Sequence, residues 1–356
     1  MKNIKYLFAY TIPISAILGI YFKDIWSFTT PVFAFVLVPV IELLAYQNTK
    51  NLDAEERNKK SNLIWFDILL YLNLPIVISI LVYSIYTFNT YALTSIEIIG
   101  LILTTGIVLG SSGINVAHEL GHRSTVAEKI IAKILLLPSF YMHFYVEHNF
   151  GHHLKAATAE DPATAQYNQS LYEFWVSSVI GQYLSAWRIQ KKLLVTNGTG
   201  FISIKNDMLW YILAQLGYLA TVGFFFGITG VLYAIAVGVV GFLLLETINY
   251  IEHYGLRRNK KESGRYERVT EVHSWNSNHI IGRILLYELT RHSDHHYKST
   301  KKYQLLDYHD ISPQLPYGYP TSMVIALIPP LWFKIMNKRV PQHMKENLIE
   351  YKVTLQ

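Results

Sequence analysis

The chain has 356 residues, of which 51% are hydrophobic and 16% charged, with a net charge of +6 and no cysteine. Its mean hydropathy of +0.22, concentrated in long apolar runs, is that of an integral membrane protein and not of a chain with a solvated surface. The basic residues flank those runs without an aromatic-basic RNA motif, so inner-leaflet electrostatics accounts for them and no nucleic-acid partner is expected.

A bilayer-crossing helix needs about 20 mostly apolar residues, and six runs qualify: 6–22, 30–46, 67–88, 95–117, 208–226 and 229–251. Lys2 and Lys5 precede the first, but no small-residue cleavage site with a polar chain behind it follows, so a retained helix is expected rather than a signal peptide. Lys50, Arg57, Lys59 and Lys60 lie between the second and third runs, whereas the links after the first, third and fifth are short and nearly uncharged. That asymmetry puts both termini, and the segments 118–207 and 252–356, on the cytoplasmic side of the inner membrane. The expected fold is a single all-α domain, 1–356, with six transmembrane helices under a cytoplasmic helical cap. Apolar segments at 130–145, broken by Pro138, at 171–194 and at 322–336 read as interfacial helices.

Nine histidines fall in four clusters beside the apolar runs: HELGH (118–122), EHNFGHH (147–153), NYIEHYG (249–255) and HSDHH (292–296). Neutral imidazole is a ligand for zinc, iron and copper, and nine exceed what one tetrahedral zinc uses, so two metals are the economical reading. His118 and His122, spaced i, i+4, share a helix face about 6 Å apart, with Asn115 on that face. His148 and His152 repeat the spacing with His153 adjacent, and His292, His295 and His296 give i, i+3 and i+4, so each triplet reaches toward two metals. His143, His309 and His343 stand apart and read as ordinary histidines.

Glu119, Glu147, Glu252 and Asp294 each adjoin a candidate ligand, where a carboxylate can take the outer N–H of a metal-bound imidazole or simply be a solvated helix-end acid. Glu246, Asn249 and His253 form a polar stripe on the last apolar run, and Glu246 either approaches the metals or pairs within the bundle. His273 and His279 in HSWNSNH are candidates for supporting contacts. HELGH also fits the zinc-protease pattern HExxH with Glu119 as base, but that reading leaves the second and third clusters without a task. With no cysteine, disulfides, thiolate zinc sites and iron–sulfur centres are excluded, so a one-electron donor must be another protein.

HELGHR, EHNFGHH, NYIEHYG, HSWNSNH and RHSDHH, in this order around six runs, closely resemble the membrane alkane 1-monooxygenases, over nearly the whole chain. Membrane fatty acid desaturases share the outer three histidine boxes; NYIEHYG and HSWNSNH point to the hydroxylase branch, which includes the xylene monooxygenases. The resemblance implies a non-haem di-iron site, two Fe ions ligated by His118, His122, His148, His152, His153, His253, His292, His295 and His296. It implies that an n-alkane from the lipid bilayer, O₂, two electrons and two protons give a primary alcohol and water. It also implies electrons from rubredoxin, reduced by an NADH-dependent reductase, and this rubredoxin must be a separate protein because it needs cysteines. A fatty acyl desaturase or a xylene-type aromatic-methyl hydroxylase is the alternative. Small residues at Ala34, Gly106 and Gly110 would leave room for a long substrate cavity.

Overall fold

The structure, a computed structural model, describes residues 3–345; Lys2 and the end of the 252–356 segment, 346–356, lie outside the described residues. Regular structure among the described residues is helical, with β pairing confined to isolated bridges. Among the described residues, five segments are long and apolar enough to cross a membrane: α1 (Ile4–Phe22), α2 (Asp24–Leu44), α3 (Trp65–Thr90), α4 (Ser95–Gly121) and, further along, a 47-residue element, Asp207–His253. The two longer helices in between are α5 (Val126–Leu136) and α6 (Leu171–Thr196), with short helical turns over 144–155 between them; the long element is α7, and α8 (His292–Tyr297) lies beyond it.

The apolar runs predict these boundaries to within a few residues except at two places. α2 starts earlier than expected, because a 3-10 turn at Asp24–Phe28 leads straight into the helix. The fifth and sixth runs are joined into α7, whose backbone leaves helical geometry only at Gly227, with φ 67° and ψ −173°, a conformation that favours glycine. A Cβ at Gly223 would lie 3.3 Å from Val231. Eight residues of straight helix span about 12 Å, so α7 doubles back at Gly227.

Contacts at the helix ends fix the direction of each segment. On one face, Lys5 of α1 pairs with Glu288 at 2.8 Å, Glu42 of α2 accepts from Gly282 N at 2.9 Å, and Asp67 of α3 pairs with Arg123 beyond α4 at 3.2 Å. Asp207 and His253, the two ends of α7, reach the same face, Asp207 through an ion pair to Lys133 of α5 at 3.0 Å. At the other end of the bundle, Asp24 N donates to Glu97 at 2.8 Å and Thr229 meets Asn89 at 3.2 Å. Glu97 also closes a capping box with Thr94, which starts α4. Leu37, Val82, Leu213 and Leu232 stay exposed on the outside of the bundle, as expected for helices that lipid solvates.

Of the segments expected at the interface, the two that contain prolines divide there. Pro138 lies in a 3-10 turn that ends α5, so 130–145 is not one helix. The 171–194 run lies within α6. The 322–336 run is two short helices, Tyr319–Ala326 and Pro329–Met336, the second opening on two prolines suited to a first turn.

Candidate metal centre

All nine clustered histidines converge beneath the ends of α4 and α7. They separate into two groups whose ligand atoms lie within 4.8 Å of one another: His118, His122, His148, His153 and His295 in one, and His152, His253, His292 and His296 in the other. In the first group the Nε2 atoms of His122, His148 and His153 stand 3.0 to 3.2 Å apart pairwise, and His118 Nε2 is 2.6 Å from that of His148. In the second, His152–His296 and His253–His292 are 3.2 Å apart and His292–His296 2.9 Å, again between Nε2 atoms.

The i, i+4 spacing of His148 and His152 predicts a shared face, and the structure separates them. His148–His152 is a π-helical turn, in which the repeat runs i to i+5. That turn aligns His148 with His153 in the first group and sends His152 to the second. His118 with His122, and His292 with His296, lie on ordinary helical turns, so there the i, i+4 pairs stay together.

Hydrogen bonds alone do not explain the triangle of His122, His148 and His153, since each ring nitrogen is either a donor or an acceptor and three in pairwise contact must include two of one kind. Donors at right angles around an ion with bonds of about 2.1 Å lie about 3.0 Å apart, so the nitrogens fit the edges of a coordination shell. Burial, then neighbouring imidazoles, holds His122, His148, His292, His295 and His296 well below the usual histidine value, and burial with His152 brings His153 to about 3. Neutral imidazole is the form that binds metal. Burial also lowers His152, but the Asp161 carboxylate, 2.9 Å from its Nδ1, outweighs burial and raises it.

The carboxylates singled out from sequence take different partners. Glu252 lies 3.1 Å from His292 Nε2, the nitrogen that faces its group, and accepts from Tyr319 OH at 2.8 Å. Glu119 binds Arg123 at 2.6 Å and accepts from Tyr303 N at 3.1 Å. Glu147 accepts from Ser185 at 3.2 Å, and burial, reinforced by the charge of Asp161, pushes it up to about 8. Glu246 is saturated within the bundle by Tyr141 at 2.7 Å, Gln182 at 2.9 Å and Asn249 at 3.4 Å. Asp294 holds Lys301 at 2.6 Å and His309 at 2.8 Å, which ties the following loop to α8.

The His273 side chain bonds Thr270 and Glu267 while its backbone hydrogen-bonds the clustered His253, and His279 bonds Ser277 and Gln47, neither of them a clustered histidine. His143 packs between Tyr141 and Tyr183. Asp161 escapes a sequence reading because it lies nine residues beyond His152, with no ligand beside it. A 2.5 Å bond from Thr164 and one from Ala163 N at 3.2 Å fix its carboxylate.

A small cavity of about 20 Å³ faces both groups, lined by His118 and His148 of the first and His292 of the second, with Asn115, Asn249 and Glu252. Neither polar atom of the Asn115 side chain has a partner among the described residues. Gly110 and Ile248 line this cavity and also a second, of about 60 Å³, walled by Ile12, Ala34, Phe35, Leu285 and Met323. Of the small residues proposed to make room, Ala34 and Gly110 therefore line the cavity. Gly106 instead lets α4 meet α7, since a Cβ there would stand 2.4 Å from Val240.

The chain matches the family model for fatty acid desaturases over residues 93–325. It is 37% identical to an alkane 1-monooxygenase of Acinetobacter baylyi, covering 92% of this chain and 80% of the relative, and 38% identical to alkane 1-monooxygenase 1 of Pseudomonas aeruginosa, covering 88% and 83%. The hydroxylase component of a Pseudomonas putida xylene/toluene monooxygenase is 25% identical over 95% of this chain and 89% of that one. At this identity and coverage, the chain belongs to the alkane 1-monooxygenase family, within the broader group that the desaturase model describes.

Proposed function

We propose that this enzyme hydroxylates the terminal methyl of n-alkanes, with two iron ions held by the two histidine groups. The observation that carries the reading is a pair of adjoining cavities, one walled by apolar residues including Ala34 and the other bounded by histidines of both groups, which share Gly110 and Ile248 in their walls. An alkane partitions into lipid, and a narrow apolar space that ends at the metals admits its chain end first and leaves water outside. Iron ligated by imidazole supplies the activation of O₂ that cutting a methyl C–H bond requires, which acid–base groups cannot provide.

The chain's own residues prepare the site. His118, His122, His148, His153 and His295 would hold one ion and His152, His253, His292 and His296 the other, with Glu252 positioned to add a carboxylate. Asp161 fixes the ring plane and tautomer of His152. Asn115, unpartnered and buried in the reaction cavity, offers an amide to the oxygen of the alcohol product. Glu119, tied to Arg123 and Tyr303, braces the end of α4 and is not free to act as the base of a zinc protease.

In this reading the two halves of α7 are separate crossings, which makes six transmembrane helices in one domain. Support comes from the turn at Gly227 and from the return of both α7 ends to the histidine face. The basic link between α2 and α3 supports a cytoplasmic position for that face, where a separate rubredoxin, reduced by an NADH-dependent reductase, would deliver electrons. The test is to supply the purified protein with rubredoxin and its reductase, n-alkanes, p-xylene, a saturated acyl substrate and isotopically labelled O₂. Labelled 1-alkanols are expected. Labelled benzylic alcohol alone would favour the chemistry named for the xylene/toluene relative, and unsaturated acyl products would move the enzyme to desaturation.

A further inference from the structure

Beside the metal centre, but separate from it, lies a pocket of about 330 Å³ between the starts of α1 and the 283–291 segment, walled also by the chain that follows α2. Its ionic lining is Lys5, Lys50, Lys60, Arg283 and Arg291 against Glu56 and Glu288, an excess of three positive charges. The carboxylate of Glu288 is shared by Lys5 at 2.8 Å and Arg283 at 2.6 Å. Arg291 is only 3% exposed, yet among the described residues its guanidinium makes no ion pair. It donates instead to the neutral oxygens of Leu306 at 2.7 Å, Asn48 and Lys50 at 3.2 Å and Asn51 at 3.3 Å. Glu288, the nearest acid in the pocket wall, is already paired with Lys5 and Arg283, so the recess keeps an excess of positive charge around a buried guanidinium, which an entering anion would offset.

The surroundings identify the kind of anion. The pocket opens at the ends of two membrane-length helices, where Ile4, Leu43 and Leu44 are exposed and Leu44 is 86% accessible. Tyr46, also exposed, forms part of the pocket wall itself. An apolar rim at the helix ends around a cationic recess has the two-part chemistry of a phospholipid, with the head group in the recess and acyl chains along the rim. We propose that this pocket binds the phosphate of an anionic membrane lipid, with Lys50 and the Arg283–Arg291 pair as its cationic walls. The recess is enclosed on several sides and suits a single head group better than the broad face of a protein partner. The inference rests on the fold and the pocket alone, and does not depend on which hydrocarbon the metal centre oxidises.

The test uses the full-length protein, purified in neutral detergent and stripped of lipid. Native mass spectrometry and thermal unfolding follow the addition of phosphatidylglycerol, phosphatidylcholine or inorganic phosphate. Lys50→Glu probes the pocket, and Lys298→Glu, on an exposed position of the same face outside it, controls for general charge. Selective retention and stabilisation by phosphatidylglycerol, weakened about tenfold in Lys50→Glu but not in Lys298→Glu, is expected. Equal retention of phosphatidylcholine, or equal weakening in both variants, would overturn the proposal. Stabilisation by inorganic phosphate with no lipid retained would overturn the lipid as its source. Hydroxylase activity of lipid-free Lys50→Glu, assayed alongside, should match that of the lipid-free parent, which separates loss of the lipid site from damage to the metal centre.

Discussion

His152 and His153 are consecutive in the chain yet belong to different groups: His153 Nε2 stands 3.0 Å from His148, and His152 Nε2 stands 3.2 Å from His296. Neighbouring residues on a helix point about 100° apart, so one short helical stretch serves both groups and its backbone sets their separation. α8 does the same with His292 and His296 on one side and His295 on the other. Two rigid pieces of helix, each shared between the groups, hold the centre in register without any covalent or sulfur cross-link.

His253 is the one member of the centre that α7 contributes, and it closes the second group at 3.2 Å from His292. His253→Ala should reduce hydroxylation by at least about a hundredfold while the protein still inserts into membranes. Product assays on membranes with matched protein content check this, and near-normal turnover would remove His253 from the ligand set.

Among the described residues the Asp161 carboxylate hydrogen-bonds only His152 and its own loop, so its direct effect on the centre passes through that imidazole. Asp161→Asn keeps the size and loses the charge, and should lower iron retention or turnover by about tenfold to a hundredfold. Iron content after dialysis against a chelator, compared with a Glu119→Gln control, distinguishes this role from general destabilisation near the site.

Ala34 lines the apolar cavity, whereas Gly106 is a point of helix contact. Ala34→Trp should shift the product spectrum toward shorter alkanes by filling the end of that space. Gly106→Ala should instead lower thermal stability, by about 1 to 3 kcal/mol for an overpacked contact, with the chain-length profile of the remaining activity unchanged. Gas chromatography of products from a mixed alkane series reads both.

Burial would raise the carboxyl of Glu288, but Arg283, Lys5 and Arg291 outweigh it and hold the group down to about 2. A depressed native value means that the charged form stabilises the fold fully above the unfolded value of about 4.3, and that this contribution is lost as pH falls through about 2. Glu288→Gln should therefore destabilise the protein by about 3 kcal/mol at neutral pH, and the difference from the parent should shrink steadily in acid. Denaturant unfolding in detergent at several pH values checks the sign; a gap that widens in acid would contradict it.

Much of this arrangement was legible in the chain itself. Apolar length places the helices, and the nine clustered histidines are those that converge, because imidazoles at helical spacing beside membrane-length runs have few other uses. Three features were not legible. A π-turn leaves no pattern in HNFGH that distinguishes it from an α-turn, so the split between His148 and His152 is a matter of backbone geometry. Asp161 reaches His152 through a loop whose path depends on Thr164 and Ala163. Glu246, on one helix stripe with His253, reads equally as a neighbour of the metals or as a partner within the bundle, and only the packing of α6 decides by bringing Gln182 to it.

The most direct test of the central claim is the iron content of freshly purified protein, measured per chain by elemental mass spectrometry alongside zinc. Two irons per chain, with zinc at background, is the predicted result. A single metal per chain, or zinc in place of iron, would contradict the two-group centre and the oxidative chemistry assigned to it.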